Sequence, residues 1–250
     1  MSGHSKWATT KHRKAAVDKA RGKLFAKLIR QLEVAARDGG GDLDANATLR
    51  TMYDKARAAS VPADTIDRAI KRGTGELEGV HYEATSYEGY AACGVAVIVE
   101  CLTDNRNRTG ADVRNLFARN GGSMAEPGSV SWQFARKGQI YLPGALEEDK
   151  VMEIALEAGA DDVARDGDMW LVSCGTLVFN DCLAAMESAG ITAESSELAL
   201  VATTEVPVTQ EADARKIFKL IEALDDHDDV QSVWSNCDIP DEIVTAIGDG

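Results

Sequence analysis

The stretch QIYLPGALEEDKVMEIALEAGADDVARDGDMWLVSC (139–174), continued by GTLVFNDCLAAMESAGITAESSELALVAT (175–203), decides the fold. Runs over 139–142, 162–165, 169–174 and 195–203 read as strands, and the longer segments 146–158 and 176–189 read as helices. That order, βαββαβ, is the split-βαβ signature of a ferredoxin-like unit. Before it, the pattern predicts strands over 82–87, 94–102 and 130–134 and a helix over 108–119. After it come a helix over 211–224, a strand over 230–235 and a short amphipathic tail. A sheet begun before Phe134 can be completed by these last elements, with the ferredoxin-like unit inserted between. The pattern is compatible with that insertion without requiring it.

The first 75 residues read differently. Val17, Leu24, Leu28, Leu32 and Ala35 fall on one side of a helix over 17–37, with Phe25 and Ile29 beside them. Lys19, Lys23, Lys27, Arg30 and Arg37 cluster on the opposite side, so one face can pack while the other presents an unbroken cationic stripe. The Asp38-Gly39-Gly40-Gly41-Asp42 run ends this helix, because glycine accepts the left-handed C-terminal conformation. A second helix is predicted over 46–59, with Leu49, Met52, Tyr53 and Ala56 facing inward. A third runs over 63–72, started by Pro62 and closed by Gly73.

Charge is segregated along the chain. The protein carries a formal net charge of −14, yet sixteen of its 27 lysines and arginines lie in the first 75 residues, beside eight of its 41 acids. Lys6, Lys11, Arg13, Lys14, Lys19, Arg21, Lys23, Lys27 and Arg30 fall within the first thirty residues, with Asp18 the one acid among them. Such a split suits a polyanionic partner gripped by one end and repelled by the rest, and nucleic acid is the obvious polyanion. A solvated basic tail is the plainer alternative.

Other classes find less support. At 44% hydrophobic and 27% charged residues the composition is that of a soluble globular protein. No apolar run approaches the roughly 18 residues a membrane span needs, so no membrane partner is expected. The basic N-terminus has no apolar core after it, unlike a secretory signal, and it continues into a well-patterned helix as part of a domain would. Five cysteines without a C-x-x-C fit reduced thiols in a cytoplasmic protein. No serine sits in a G-x-S-x-G elbow and no histidine is placed as a base, so an enzyme is not expected. No cofactor is implied either: Gly39–Gly41 and Gly121-Gly122 lack phosphate-loop spacing.

Three stretches can carry chemistry. Around Lys6, Lys11, His12, Arg13 and Lys14, Trp7 lies between cations, where it would stack on a base beside phosphate contacts or else anchor the tail to the helices. His4 and His12 have no acid or thiol nearby in sequence to complete a metal site. Thr103-Asp104-Asn105-Arg106-Asn107-Arg108-Thr109 follows a hydrophobic strand and opens a helix. Its Asp and Asn residues suit helix capping, which leaves Arg106 and Arg108 for an anion. Asp225-Asp226-His227-Asp228-Asp229 lacks the spacing and glycine of a calcium loop and reads as a solvated turn. Glu147-Glu148-Asp149 is explained by a helix dipole.

Several of these segments resemble the YebC/PmpR family: Gly3-His4-Ser5-Lys6-Trp7, Lys11-His12-Arg13-Lys14, Arg21-Gly22-Lys23, Tyr87-Glu88-Gly89-Tyr90 and Leu102 through Thr109. Gly121-Gly122, Gly128-Ser129-Val130 and Trp132-Gln133-Phe134 extend the resemblance over essentially the whole chain. Ala91-Ala92-Cys93 and Ser123 through Pro127 depart from the family pattern in two loops. The resemblance implies an α+β multidomain fold: an N-terminal helical domain plus two α/β domains, one ferredoxin-like (βαββαβ) and inserted in the other. The corresponding division is 1–78, then 79–136 with 204–250, then 137–203. It also implies a cytoplasmic, non-enzymatic protein without cofactor. The family's mitochondrial members include the translational activator of cytochrome oxidase subunit I. The family is usually labelled a DNA-binding transcriptional regulator, and other members resemble translation factors that bind the ribosome and relieve its stalling.

Three functions remain on this reading. The first is a ribosome-associated factor touching ribosomal or transfer RNA, and the second a regulator on duplex DNA. The third is a scaffold whose acidic domains bind a basic partner. The absence of a recognition-helix signature or a dimerisation stripe favours the first and a monomer. Lys19, Arg21, Lys23, Lys27 and Arg30 would grip phosphates, Lys6, Lys11, His12, Arg13 and Lys14 would extend that grip, Trp7 would stack, and Arg106 and Arg108 would add a second contact.

Overall fold

The computed structural model describes residues 17–248, with side chains from Gly22 to Ile247. It begins with a 23-residue helix, α1 (Val17–Gly39), followed by α2 (Ala47–Ala58) and α3 (Ala63–Gly73). Leu28, Leu32, Ala35 and Ala36 of α1 pack on Leu49, Ala56, Ile66 and Ala69, a core that closes within the three helices. Leu24, expected in that seam, is 46% exposed. Gly40, at φ +84°, ends α1, where its N–H donates to the Ala36 carbonyl at 2.9 Å. Buried Asn46 joins two helices. Its Oδ1 accepts from the Leu49 N–H at 3.0 Å, and its Nδ2 donates to the Ala35 and Gly40 carbonyls at 2.8 Å each. A Cβ at Gly73 would lie 2.4 Å from the Glu33 carbonyl, so glycine there lets α3 lie close against α1.

The rest of the chain folds as β1 (Glu83–Tyr90), β2 (Ala96–Thr103), α4 (Arg106–Arg119), β3 (Ser123–Met124), β4 (Phe134–Pro143) and α5 (Glu148–Glu157). It continues as β5 (Ala160–Asp166), β6 (Met169–Gly175), α6 (Phe179–Ser188), β7 (Ser195–Ala202), β8 (Val206–Pro207), α7 (Glu211–Asp225), β9 (Val230–Ser235), β10 (Cys237–Asp238) and α8 (Asp241–Gly248). One four-stranded antiparallel sheet has the order β3-β1-β2-β9 and another β5-β6-β4-β7, while β8 and β10 pair in parallel as a two-stranded sheet. The second order is that of a ferredoxin-like unit. Its apolar face (Ile140, Leu142, Val172, Cys174) lies under Val151 and Ala155 of α5 and Cys182 and Met186 of α6.

β2 explains its own unbroken hydrophobic run. Val97, Val99 and Cys101 point to Val113 and Phe117 of α4 and to Ile217, Leu220 and Leu224 of α7. Ala96 and Ile98 point the other way, to Val130, Phe134, Trp234 and Ala199 of β7. A strand covered on both faces has no polar face to alternate with. The region 130–143 departs from expectation. Residues 131–133 form a single 3-10 turn, and β4 starts at Phe134 and runs to Pro143 as one strand. The polar Arg136 and Lys137 concealed it, because both sit in the β7 ladder with their charges met by Glu100 and by Asp161, the latter at 3.3 Å.

The chain enters the second sheet after Gln133 and leaves it before Thr203, whose N–H donates to the Gln133 carbonyl at 2.8 Å. Fully buried Asn236 fastens this crossing. It accepts from the Ala96 N–H at 2.8 Å and donates to Gln133 Oε1 at 2.8 Å and to the Thr204 carbonyl at 3.0 Å. Asn236→Ala leaves two buried groups without partners, each costing about 1–3 kcal/mol. We expect a loss of about 2–4 kcal/mol in urea unfolding, and an unchanged transition would show that the crossing does not depend on this side chain.

Candidate nucleic-acid interface

Lys6, Trp7, Lys11, His12, Arg13 and Lys14 lie outside the described residues, as do the side chains of Lys19 and Arg21 on α1. Among the described residues, the contacts the sequence leads one to expect are Lys23, Lys27 and Arg30 on α1, with Arg106 and Arg108 at the start of α4. Spacings of four and three residues place the first three along one line of α1.

That line faces the protein itself. Lys23 Nζ lies 2.8 Å from Asp226 Oδ1 and donates to the Asp226 carbonyl at 3.1 Å. Lys27 Nζ lies 2.8 Å from Asp225 Oδ1 and donates to its carbonyl at 3.2 Å. Arg30 Nη1 donates to the Asp228 carbonyl, lies 3.4 Å from Asp229 Oδ1, and its guanidinium stands 5.4 Å over the Tyr82 ring. The expected open stripe is thus closed over this length, and the expected solvated turn 225–229 is what closes it. Neighbouring turn residues carry carbonyls and carboxylates to one helix face, a match that separate readings of the two segments do not reveal.

Asp229 is the buried centre of the contact, with its side chain 5% exposed. Its Oδ2 accepts from Arg108 Nη2 at 2.7 Å and from Thr109 Oγ1 at 2.6 Å. Burial works against ionisation. The Thr109 hydroxyl, the Arg108 guanidinium and, further off, Arg30 outweigh it and hold the carboxyl below its ordinary range. Asp104, 2.7 Å from the same guanidinium, and Asp229 together raise the Arg108 pKa.

The Thr103–Thr109 motif accordingly divides. Asn105 caps α4 by accepting from the Arg108 N–H at 3.0 Å, and Thr103 Oγ1 accepts from the Asn105 N–H at 2.9 Å. Arg108, expected to meet an external anion, meets Asp104 and Asp229 instead. Arg106 stays exposed, and among the described residues its guanidinium makes a 3.4 Å contact to Thr85 Oγ1. Asp225, Asp226, Asp229 and Tyr82 are the participants the sequence reading did not assign. The available signal was a run of four acids in a chain with a cationic helix.

A cleft of about 660 Å³ opens between the helical unit and both sheets, lined among others by Gln31, Lys55, Glu100, Glu197 and Trp234. Burial lowers the Lys55 pKa, partly offset by Glu197. Burial also pushes the Cys101 and Cys174 thiols up to about 12 and Cys237 up to about 11. Among the described residues no three histidines, cysteines or acids are grouped to hold a metal ion, and no helix is long and apolar enough to cross a membrane.

Fold and site define an α+β protein whose basic helical unit is held by ion pairs against an antiparallel sheet that carries a ferredoxin-like insertion. Two family models match: the "TACO1/YebC protein N-terminal domain" over residues 5–76 and the "TACO1/YebC second and third domain" over 82–237. The chain belongs to the TACO1/YebC family. A protein of Thermobifida fusca named "Probable transcriptional regulatory protein" is 53% identical over 250 residues, covering 99% of this chain and 100% of the relative. One of the same name from Mycobacterium tuberculosis (strain H37Ra) is 52% identical and covers 100% of both chains. The crystal structure of a conserved hypothetical protein from Aquifex aeolicus is similar with a TM-score of 0.85 at 42% identity, covering 92% of this chain and 95% of that one.

A depressed carboxyl pKa stabilises the fold above the unfolded value of about 3.9, and that contribution is lost as pH falls through the lower folded value. Asp229→Asn should therefore cost about 1.5–3 kcal/mol at pH 7, the range for a hydrogen bond to a charged group. The gap to the wild type should narrow below about pH 4. Urea unfolding at pH 7 and pH 3 checks this, and a gap independent of pH would mean that the ionised carboxylate is not what stabilises the contact.

Proposed function

We propose that this protein is a non-enzymatic, cytoplasmic regulator of gene expression that binds nucleic acid through the cations of α1 and of the segment before it. The proposed target is RNA of the ribosome, ribosomal or transfer RNA, and the role is relief of stalled translation. The observation that carries the reading is the row Lys23, Lys27 and Arg30 on one face of a 23-residue helix. Such a row tracks a phosphate backbone without selecting bases.

The neighbouring helices support phosphate contact over base reading. α2 and α3 are joined by a four-residue turn, as in a helix-turn-helix, but the first half of α3 exposes Asp64 and Asp67. Carboxylates there would meet the phosphates flanking a major groove, which disfavours α3 as a recognition helix. The buried thiols with raised pKa values are poor nucleophiles at neutral pH, which agrees with a protein that does no chemistry. The relatives' name, probable transcriptional regulatory protein, favours a second reading, binding to duplex DNA.

With about five cations engaged, log K should fall against log[salt] with a slope of at most roughly −3.5 to −4.5, reduced by any ion pairs within the protein that must break first. Binding of full-length protein to ribosomal RNA and to duplex promoter fragments at about 0.15 M salt separates the readings. A preference for one duplex sequence of roughly a thousandfold would establish the DNA reading and overturn the ribosomal one. Indifference to both polymers would overturn both.

A further inference from the structure

Resting on the reading that α1 binds nucleic acid, we propose that the acidic turn 225–229 is a built-in competitor for phosphate, which must be displaced before α1 can bind. In the closed arrangement the turn supplies to α1 what a nucleic-acid backbone would supply. Carboxylate oxygens stand 2.8 Å from Lys23 Nζ and from Lys27 Nζ, and turn carbonyls accept from all three cations. The side chains of Lys27 and Arg30 are only 16% and 18% exposed there, so a phosphate cannot reach them while the turn is seated.

The contact is built to open. The core of α1, α2 and α3 closes on itself, so the helical unit can leave the turn without exposing Leu28, Leu32 or Ile66. Residues 74–82 join α3 to β1 without helix or strand, and nine extended residues span up to about 30 Å. The carboxylates that meet Lys23 and Lys27 are partly solvated, with Asp226 68% and Asp225 33% exposed. Exposed ion pairs are individually weak and screened by salt, so they can be traded for the denser charge of a polyphosphate. Asp229 stays behind, because Arg108 and Thr109 still hold it.

Two consequences follow from linkage. A closed fraction lowers apparent affinity in proportion to the open population. Opening also takes up counterions as the ion pairs break, which offsets part of the counterion release on binding and flattens the salt dependence.

The test compares full-length wild type with Asp225→Asn/Asp226→Asn, using a 30-nucleotide polyuridine RNA between 0.05 and 0.3 M salt. The double variant should bind about 5–30-fold tighter at the lowest salt, with a steeper slope and an unaltered thermal transition. The charge-retaining Asp225→Glu/Asp226→Glu variant should bind as the wild type does, which separates charge from any local disturbance of the turn. Equal affinity and equal slope in wild type and Asn variant would overturn the competitor while leaving nucleic-acid binding intact. Absence of binding by either protein, to polyuridine or to duplex DNA of the same length, would overturn both proposals.

Discussion

Asp229 is shared by four parts of the chain. One carboxylate oxygen takes the Arg108 guanidinium and the Thr109 hydroxyl in the first turn of α4, and the other faces Arg30 on α1. Its carbonyl accepts from the Leu102 N–H of β2 at 2.9 Å, and its own N–H donates to His227 Nδ1 at 3.1 Å. A buried anion is tolerable only when such donors surround it. The carboxylate's donors arrive from α4 and from the helical unit, and β2 holds the same residue by its carbonyl, so this one residue positions all three. The direction of its pKa shift is the electrostatic record of that arrangement.

The attachments differ in kind. β2 buries both of its faces, one under α4 and α7 and the other against β7, so the two sheets are joined by apolar packing. Asn236 then fixes the place where the chain crosses between them. The buried core of the helical unit closes within its three helices, and the unit meets the turn before β9 with charge, through Lys23, Lys27 and Arg30. Apolar contacts between the sheets are not screened by salt, whereas the ionic contact is. One joint in the molecule is therefore firm and the other responsive, and the responsive one carries the cations proposed to bind nucleic acid.

Much of this was legible in the sequence. Periodicity located the helices and the βαββαβ order, because side chains that share a face recur at fixed spacing. Capping at Asn105 and helix termination near Gly40 were legible for the same local reason. What stayed hidden is non-local. Lys27 and Asp225 are 198 positions apart, and nothing in either segment names the other. A charge row reads as solvated until its counter-charge is found, and the same holds for the acidic turn. β4 was shortened in the reading because Arg136 and Lys137 look like a break until Glu100 and Asp161 are placed beside them. Leu24 shows the complementary error, since its spacing fits the apolar seam and yet it stands 46% exposed.

The most direct test of the account is the distance between α1 and the acidic turn in solution. Spin labels at exposed Ala26 and Glu222, read by pulsed dipolar spectroscopy, report that distance without altering any charged partner in the contact. The account predicts one short, narrow distribution in dilute buffer that gives way to a long, broad one as salt approaches about 1 M, where the screening length falls to about 3 Å. A broad, long distribution already present in dilute buffer, or a short one that salt leaves unmoved, would contradict it.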